Sequence, residues 1–455
     1  MKHGVTVLAM VVTVAAAGFA AAGEKVPAKV GAVPYDRFEP NATCAQCHGA
    51  LVQQYEQSLM ARSFTHRWDE TEYFKLALPH AAKDPKVAGI KAGCNACHAP
   101  LAFLAGDIPP KPVSAGTRAN EGVSCDLCHS IVGFEGDQPF NGNYVVEPGD
   151  TVQGGRDGVE SPGHGIQVNP FMKTAKLCAT CHDEQDPYGM WVKATYQEWT
   201  RSPQAKAGIR CQDCHMPPGP GNTAPEAGGE DHGDIRQHIF HGAHDAAKLA
   251  GAVEVRIHPA AAAAAPGESI TLEAVVTNAK AGHMIPSGSA EERVVWLHVE
   301  AVDAIGRVHH LIVDRKGFEG EAFTIADSGA LAYQDLGEIM DLDGFKGLLR
   351  DGNVPAGDRI YRMPYLDPKG RMTVAQWNTA SFGPDYRLAP LEARTESFTW
   401  TLPEDMPAGP VTVTATVWYS RLVSSVAAFL DIPEEEWRPV KMGEYTTTFT
   451  VKPAS

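Results

Sequence analysis

The ten cysteines of this chain occur only as pairs separated by two residues, and a histidine directly follows each pair. All of them lie between positions 44 and 214, and the rest of the 455-residue chain has none. This spacing is typical of covalent c-type haem attachment. The five sets are Cys44, Cys47 and His48; Cys94, Cys97 and His98; Cys125, Cys128 and His129; Cys178, Cys181 and His182; and Cys211, Cys214 and His215.

The chemistry of the cofactor explains this pattern. Two thiols three positions apart on one helical turn reach the two vinyl-derived carbons of a porphyrin, and the next residue lies under the iron as its proximal ligand. Disulfides would not need a histidine after every second cysteine. Zinc ribbons need four ligands for each metal, and a thioredoxin-like pair would occur once. The sequence therefore predicts five covalently bound haems, whose irons are held by the five motif histidines.

Distal ligands decide what each haem can do, because an iron with two protein ligands passes electrons whereas an open iron binds small molecules. Four further histidines stand out as candidate distal ligands by their context. His164 precedes the fourth motif, and His238 and His244 follow the fifth closely. His283 lies in a loop bounded by glycine and proline, between two strand-like runs.

The distal ligand of the first haem has three candidates. Met60 and His66 follow the first motif closely, and His80 is the third. A methionine ligand would raise the potential of that haem relative to haems with two histidines. Methionine on a helix is more often an apolar core residue. The residues alone leave this choice open.

Several segments resemble a known family of multihaem cytochromes. The segments are 195-TYQEWTRSP-203, 208-GIRCQDCHMP-217 and the His238-x-Phe240-x-Gly242-x-His244 element. They are similar to those of proteins related to the tetrahaem cytochrome of ammonia oxidisers (cytochrome c-554-like) and to hydroxylamine oxidoreductase.

The resemblance has implications for the ligands. Family members commonly carry a Ser-x-His-Ala signature after the first motif, and relatives with methionine in the histidine's place occur. Because Met60 stands there in this chain, the resemblance favours Met60 over His66. It also implies distal roles for His164, His238 and His244. The His283 loop looks like one in relatives with a following β-rich domain, where its histidine reaches back to a haem.

The chain divides into three parts. Residues 1–22 have a basic start, an apolar run and small residues before Gly23, as in a cleaved signal peptide. Residues 23–248 are predicted to form a haem-dominated pentahaem domain, mainly α and irregular, with helices over 70–78 and 187–202. Residues 249–455 show period-two alternation between turn signals, which predicts an all-β, immunoglobulin-like sandwich with a less regular insertion at 314–392.

Charge and composition narrow the partners. The formal charge of −16 disfavours nucleic acid, because phosphates would be repelled. We expect a periplasmic or extracellular protein, with no membrane association after signal cleavage. Expected partners are other cytochromes or a membrane quinol oxidoreductase, and a homo-oligomer or filament is compatible with the sequence.

Electron transfer along closely packed haems is the predicted function. The short spacing of the second and third motifs, and of the fourth and fifth, predicts two closely coupled haem pairs. The alternative is an oxidoreductase that acts on a small nitrogen or sulfur oxyanion at one five-coordinate haem. The sequence predicts no other catalytic residue.

Overall fold

The computed structural model describes residues 23–316, 331–349 and 353–453. The predicted signal peptide, residues 1–22, lies outside the described residues. Within them, no helix combines the length and the apolar character needed to cross a membrane.

Short helices dominate the haem-motif region. They are α1 (Asn41–Glu56), α2 (Arg67–Thr71), α3 (Leu78–Lys83), α4 (Ile90–Gly93), α5 (Asn95–His98), α6 (Pro100–Ala105), α7 (Cys125–Ser130), α8 (Ala175–His182), α9 (Thr195–Thr200), α10 (Pro203–Lys206), α11 (Cys211–His215) and α12 (Ala246–Leu249). A π-helical turn, Glu72–Ala77, joins α2 to α3, so the helix predicted over 70–78 is confirmed. The helix predicted over 187–202 is wrong in its first half, where Trp191–Ala194 is a strand. Trp and Val favour a strand there, and α9 begins only after it.

Small sheets connect these helices. Their strands are β1 (Val26–Pro27), β2 (Ile131–Phe134), β3 (Tyr144–Val146), β4 (Thr151–Gly154), β5 (Gly165–Val168), β6 (Asp183–Gln185), β7 (Trp191–Ala194), β8 (Pro218–Asn222) and β9 (Asp231–Arg236). They form one three-stranded sheet, in the order β1-β3-β2, and three two-stranded sheets. Each sheet has only two or three strands, so the region consists of helical motifs linked by ribbons.

The second half of the chain is rich in strands. They are β10 (Val253–Pro259), β11 (Ala263–Ala264), β12 (Ser269–Asn278), β13 (Val294–Val302), β14 (Val308–His310), β15 (Leu331–Ala332), β16 (Leu348–Leu349), β17 (Arg359–Tyr361), β18 (Tyr365–Leu366), β19 (Ser381–Phe382), β20 (Ala393–Thr401), β21 (Gly409–Ser420) and β22 (Val440–Val451). Two helices, α13 (Leu336–Ile339) and α14 (Ser424–Phe429), interrupt them. In its described part, the insertion predicted at 314–392 has strands of only two or three residues. Residues 317–330 and 350–352 lie outside the described residues.

Two larger sheets share one apolar core. The first has the order β10-β12-β20, and the second has β11-β22-β21-β13-β14, with β17 also paired to β13. Buried residues alternate along β12 and β21, as a strand with one face in a core requires. The core contains side chains from both sheets, including Leu272, Phe398, Leu297 and Val413. The region is therefore β-rich, with sheets on a common core; immunoglobulin-like topology stays a prediction.

A second apolar cluster joins the two halves of the chain. Trp68 and Leu76 of the haem-motif region pack in the same cluster as Trp296 and Val426 of the β-rich region. The indole Nε1 of Trp68 also donates a hydrogen bond to Glu292 Oε1 at 2.7 Å. The two halves are therefore packed against each other, and the predicted boundary at 248/249 stays a prediction.

Candidate haem-binding sites

Four of the Cys-x-x-Cys-His motifs lie on short helices that end at or just after the histidine, and the first motif lies in the longer α1. The two cysteines are then one helical turn apart, as attachment to one porphyrin requires. In α1, the backbone leaves helical geometry at His48 itself (φ −110°, ψ 33°). After the second and fifth motifs the next residues, Ala99 and Met216, leave the helix and a proline follows each.

Four motif imidazoles are held by backbone carbonyls. In each case Nδ1 donates the hydrogen bond, so Nε2 carries the free lone pair that a metal needs. The bonds are His48 to Thr223 (2.6 Å), His98 to Ser63 (2.9 Å), His129 to Gln153 (2.8 Å) and His215 to His241 (2.7 Å). His182, at the end of α8, is exposed.

Three of these imidazoles face a second imidazole. The ring centres of His48 and His164 are 6.1 Å apart, those of His129 and His238 are 6.1 Å apart, and those of His215 and His283 are 6.4 Å apart. Metal–imidazole bonds of about 2 Å place the centres of two opposed rings about 6 Å apart. The residues present therefore fit an iron between each pair of rings.

The facing imidazoles are oriented in the same way as the motif imidazoles. Nδ1 of His164 donates to the Gly165 carbonyl (3.0 Å), Nδ1 of His238 to that of Arg236 (2.9 Å), and Nδ1 of His283 to that of Met284 (2.8 Å). Burial, reinforced by His129, lowers the pKa of His238 to about 4. Burial and the facing His283 likewise lower the pKa of His215 to about 4. Both rings are therefore neutral at pH 7, the form that binds a metal.

The loop that carries His283 is anchored in the β-rich region. The buried Asn278 side chain donates to the carbonyl oxygens of His283 (2.9 Å) and Leu388 (3.1 Å). The Ala281 amide donates back to Asn278 Oδ1 (3.1 Å). A strand end of the β-rich region thus fixes the ring that faces the fifth motif.

The ring that faces His48 belongs to His164, whereas the resemblance favours Met60 as the distal ligand of the first haem. The Met60 carbonyl accepts a hydrogen bond from the Val123 amide at 3.1 Å. Its role as an iron ligand stays a prediction. His80, the third candidate, accepts a hydrogen bond at Nδ1 from Trp377 Nε1 (3.0 Å).

His66 is bound between two carboxylates. Its Nδ1 lies 2.8 Å from Asp69 Oδ2, and its Nε2 lies 2.7 Å from Glu436 Oε2. Burial opposes a charge on this ring, but Asp69 and Glu436 outweigh it and raise the pKa of His66 to about 9. A protonated imidazole with both nitrogens engaged has no lone pair for iron, which disfavours His66 as a distal ligand.

His244 lies beside His66, with ring centres 5.2 Å apart. Burial and the nearby cation Arg293 lower the pKa of His244 to about 2, so its ring is neutral. The sequence predicted this residue as a distal ligand, and no motif histidine in the described part of the chain stacks against it. His66, His244 and Glu436 also converge closely enough to hold a metal ion.

Contacts between thiols reveal which motifs are neighbours. The thiols of Cys44, Cys181 and Cys211 lie near enough to raise the pKa values of Cys125, Cys97 and Cys178, respectively. The expected closeness of the fourth and fifth motifs is therefore present. The second motif, however, contacts the fourth, and the third contacts the first. Tertiary packing brings together motifs that are distant in the sequence.

A pocket lies beside the second motif, with Asp69, Glu72, His98 and Trp377 among its lining residues. Glu72 Oε1 is buried without a hydrogen-bond partner. Burial, reinforced by Glu292, holds the pKa of Glu72 well above its usual value. This pocket therefore contains a buried carboxyl group whose protonated form is favoured by its surroundings.

Comparison with known proteins shows similarity to cytochromes. Residues 43–130, which contain the first three motifs, match the family model described as cytochrome c554 and c-prime. No curated protein matches the chain. The structure is similar to that of a penta-heme cytochrome c552 from Thermochromatium tepidum, with a TM-score of 0.57 and 20% identity over 92% of this chain and 100% of that one.

Other solved structures are much less similar. A catalyst of macrocyclisation in alchivemycin A biosynthesis has a TM-score of 0.20, at 11% identity over 45% of this chain and 92% of that one. A sporulation control protein from Bacillus subtilis has a TM-score of 0.18, at 12% identity over 45% of this chain and 51% of that one. At such low scores neither likeness bears on the fold or on the sites.

Proposed function

We propose that this chain, a multihaem c-type cytochrome of the electron-transfer type, carries five haems and passes electrons along them. The five cysteine–histidine motifs support the number of haems. The observation that carries the proposal is the three opposed imidazole pairs, with ring centres 6.1–6.4 Å apart. Irons with two histidine ligands exchange electrons without binding substrate.

The proposal assigns ligands to three haems completely. His48 and His164 bind the first iron, His129 and His238 the third, and His215 and His283 the fifth. The second and fourth irons have His98 and His182 as proximal ligands. Their distal ligands are drawn from His244 and Met60.

The thiol contacts support a route for the electrons. They relate the first haem to the third, the second to the fourth, and the fourth to the fifth. Cys128 of the third motif also lies within electrostatic reach of Cys178 and Cys181 of the fourth. We infer that the fourth haem is a junction, through which electrons reach the second, third and fifth.

The residues of the chain set the properties of each haem. Thioether bonds from the ten cysteines keep each porphyrin in place, and the bound iron gains or loses one electron at a time. The backbone carbonyls keep the ligand imidazoles protonated at Nδ1, which fixes the orientation of each ring. Ligand type and surrounding polarity then adjust each potential.

A second candidate function is reduction or oxidation of a small nitrogen or sulfur oxyanion at the second haem. The pocket beside His98, with the unpartnered Glu72 carboxyl, favours this site. Within the described residues, no imidazole ring stacks against His98. An open iron there would have a proton donor close by.

Cellular location and partners extend the proposal. The segment 1–22 supports export to the periplasm or the cell exterior, and the negative charge suits a cationic or haem-edge partner. We propose redox partner proteins, such as other cytochromes or a membrane quinol oxidoreductase, and no nucleic acid. Association of this chain into a homo-oligomer or filament stays a prediction.

Electron paramagnetic resonance of the oxidised protein tests the ligand assignment. We expect His164→Ala to convert one low-spin haem to high spin, whereas Met60→Ala leaves the signal of the first haem unchanged. The reverse result would assign the first haem to Met60. A high-spin component in the unmodified protein that shifts with added nitrite would favour the enzyme. Intact-mass analysis with fewer than five haem adducts would contradict the haem count.

A further inference from the structure

Two histidines and an aspartate meet on the outer face of the six-stranded sheet, outside the haem motifs. His298 lies in β13, His310 in β14, and Asp358 immediately before β17. Strands β14 and β17 both pair with β13, with Glu300 opposite His310 and Leu297 opposite Arg359. His298 therefore lies at the junction of the three strands.

The strand period directs these side chains away from the apolar core. Val299 and Ala301 of β13 are buried in the core, so His298 and Glu300, which alternate with them, face outward. All three candidate ligands are on or next to paired strands, and such strands hold side chains more rigidly than loops do. The cluster is thus built by the fold.

The donor atoms are already close to a coordination geometry. His298 Nδ1 lies 3.0 Å from Asp358 Oδ2, and His310 Nε2 lies 2.7 Å from Asp358 Oδ1. The ligand atoms of the three residues all lie within 4.8 Å of one another. Metal–ligand bonds of about 2 Å place adjacent ligand atoms roughly 3 Å apart, so binding needs only small movements.

We propose that His298, His310 and Asp358 form a binding site for a divalent transition-metal ion, for which Zn²⁺ is the best match. Two imidazole nitrogens and one carboxylate, with the remaining position open to water, are a common ligand set for zinc. Calcium and magnesium prefer oxygen ligands only, so the two imidazoles disfavour them.

The surroundings suit a cation with one open side. The Asp358 side chain is 0% exposed, whereas those of His298 and His310 are 22% and 32% exposed. Glu300 Oε2 lies 3.8 Å from His298 Nε2, on the side of the ring away from Asp358. A carboxylate there favours the proton on Nε2 and leaves Nδ1 for the metal.

A cavity borders His310, one of the three proposed ligands. It has a volume of about 200 Å³ and is also lined by Ile312, Phe398 and Trp400. A metal-bound water or small anion fits in a space of this size. In the metal-free protein the two imidazoles donate hydrogen bonds to Asp358. When a metal binds, one ion takes the place of the two protons in these hydrogen bonds.

Zinc binding to the chelator-treated, haem-loaded, full-length protein tests the proposal. Calorimetric titration and metal content after dialysis should both show one bound zinc ion in the unmodified protein. The His310→Ala and His298→Ala variants should lose this ion, with their affinity for zinc reduced at least tenfold. Asp358 is left intact, since removing a buried carboxylate risks misfolding.

The matched control is His309→Ala. His309 lies in the same strand, but its Nε2 contacts Asp303 (3.2 Å) and its ring packs on Trp400. This variant should bind zinc as the unmodified protein does. The proposal is overturned if the unmodified protein, with its haem spectrum intact, takes up no more zinc than His310→Ala. It is also overturned if His309→Ala loses the ion equally.

Discussion

Residues 23–248 and residues 249–453 differ in how their apolar side chains are buried. In the β-rich half, long alternating strands such as β12, β13 and β21 contribute to one large continuous core. In the haem-motif half, most helices have four to eight residues, and its own apolar clusters are small. Isolated helices shorter than about 12 residues are only marginally stable in water. The first half therefore depends on its covalently bound groups and on contact with the second.

The haem-motif half depends on the β-rich half more than the β-rich half depends on it. The β-rich half contributes Asn278 and His283 to the fifth site and Glu436 to the ion pair of His66. It also contributes Trp296 to the shared cluster. Among the described residues, the haem-motif half, by contrast, contributes only Ala243, near its end, to the large core on which the two main sheets pack. The β-rich half thus has a large apolar core of its own, and it supports the haem-motif half, which has none of that size.

Loss of all haems would have the largest effect. In a chain produced without haem attachment, we expect the amides of residues 41–248 to exchange rapidly with solvent, because the short helices lose the groups that hold them. The amides of β12, β13 and β21 should stay protected. Hydrogen exchange followed by mass spectrometry measures both in one sample. Equal protection of the amides in the two halves would show that the haem-motif half does not depend on its haems.

Truncation of Trp296 in the shared cluster should have the next largest effect. This side chain is 2% exposed and stacks on Trp418 with ring centres 6.5 Å apart. We expect Trp296→Ala to lower the free energy of unfolding by about 3–5 kcal/mol, because a large cavity forms. Denaturant titration with separate haem and tryptophan signals measures it. Ile305→Ala, at a residue 68% exposed, is the control and should change stability by less than about 0.5 kcal/mol.

Asp335, in the β-rich half, is expected to make the free energy of unfolding depend on pH. Burial, only partly offset by hydrogen bonds from Thr373 and Asn378, raises the pKa of this carboxyl to about 6. The folded state therefore binds the proton more tightly than the unfolded state, whose pKa is near 3.9, and stability falls as pH rises from about 4 to about 6.

Asp335→Asn should remove that contribution to the pH dependence and raise the free energy of unfolding at pH 7 by at most about 3 kcal/mol. Thermal unfolding at several pH values measures both effects. Glu338→Gln, at a partly exposed position in α13, is the matched control and should not remove the loss of stability between pH 4 and 6. An unchanged pH profile in Asp335→Asn would show that another group titrates.

Asn278→Ala should have the smallest effect of the series. It removes the hydrogen bonds to the His283 and Leu388 carbonyls, at a cost of about 1–2 kcal/mol. We expect a fraction of the fifth haem to become high spin, because the loop of its distal ligand loosens. Electron paramagnetic resonance measures that fraction. Ile305→Ala, at a residue 68% exposed, is again the control and should leave the signal unchanged.

The sequence predicted the local features better than the long-range ones. Motif helices and long strands depend on neighbouring residues, and the long strands of the second half lie within 249–455, where alternation predicted a β-rich region. His164, His238 and His283 were predicted as ligands, but which motif each one faces depends on tertiary packing. Met60 was assigned to the first haem by resemblance, whereas the ring of His164 faces His48.

The partners of charged residues likewise depend on tertiary packing, which the sequence predicts less well than local structure. Arg359 and Arg387 form ion pairs with Glu396 and Glu198. Asp358, the residue directly before Arg359, pairs with His298 and His310 instead. These histidines carry no local signal, because they come together only when β14 and β17 pair with the same strand.

The thiol contacts between motifs have a consequence for biogenesis. The thiols of Cys44 and Cys125 lie near enough to shift one another's pKa, and neighbouring thiols in an oxidising compartment are open to disulfide formation before haem is attached. Such a cross-link would block two attachment sites at once. We therefore expect that these thiols have to stay reduced until ligation is complete, and that the yield of holoprotein depends on reductant supply as well as on haem supply.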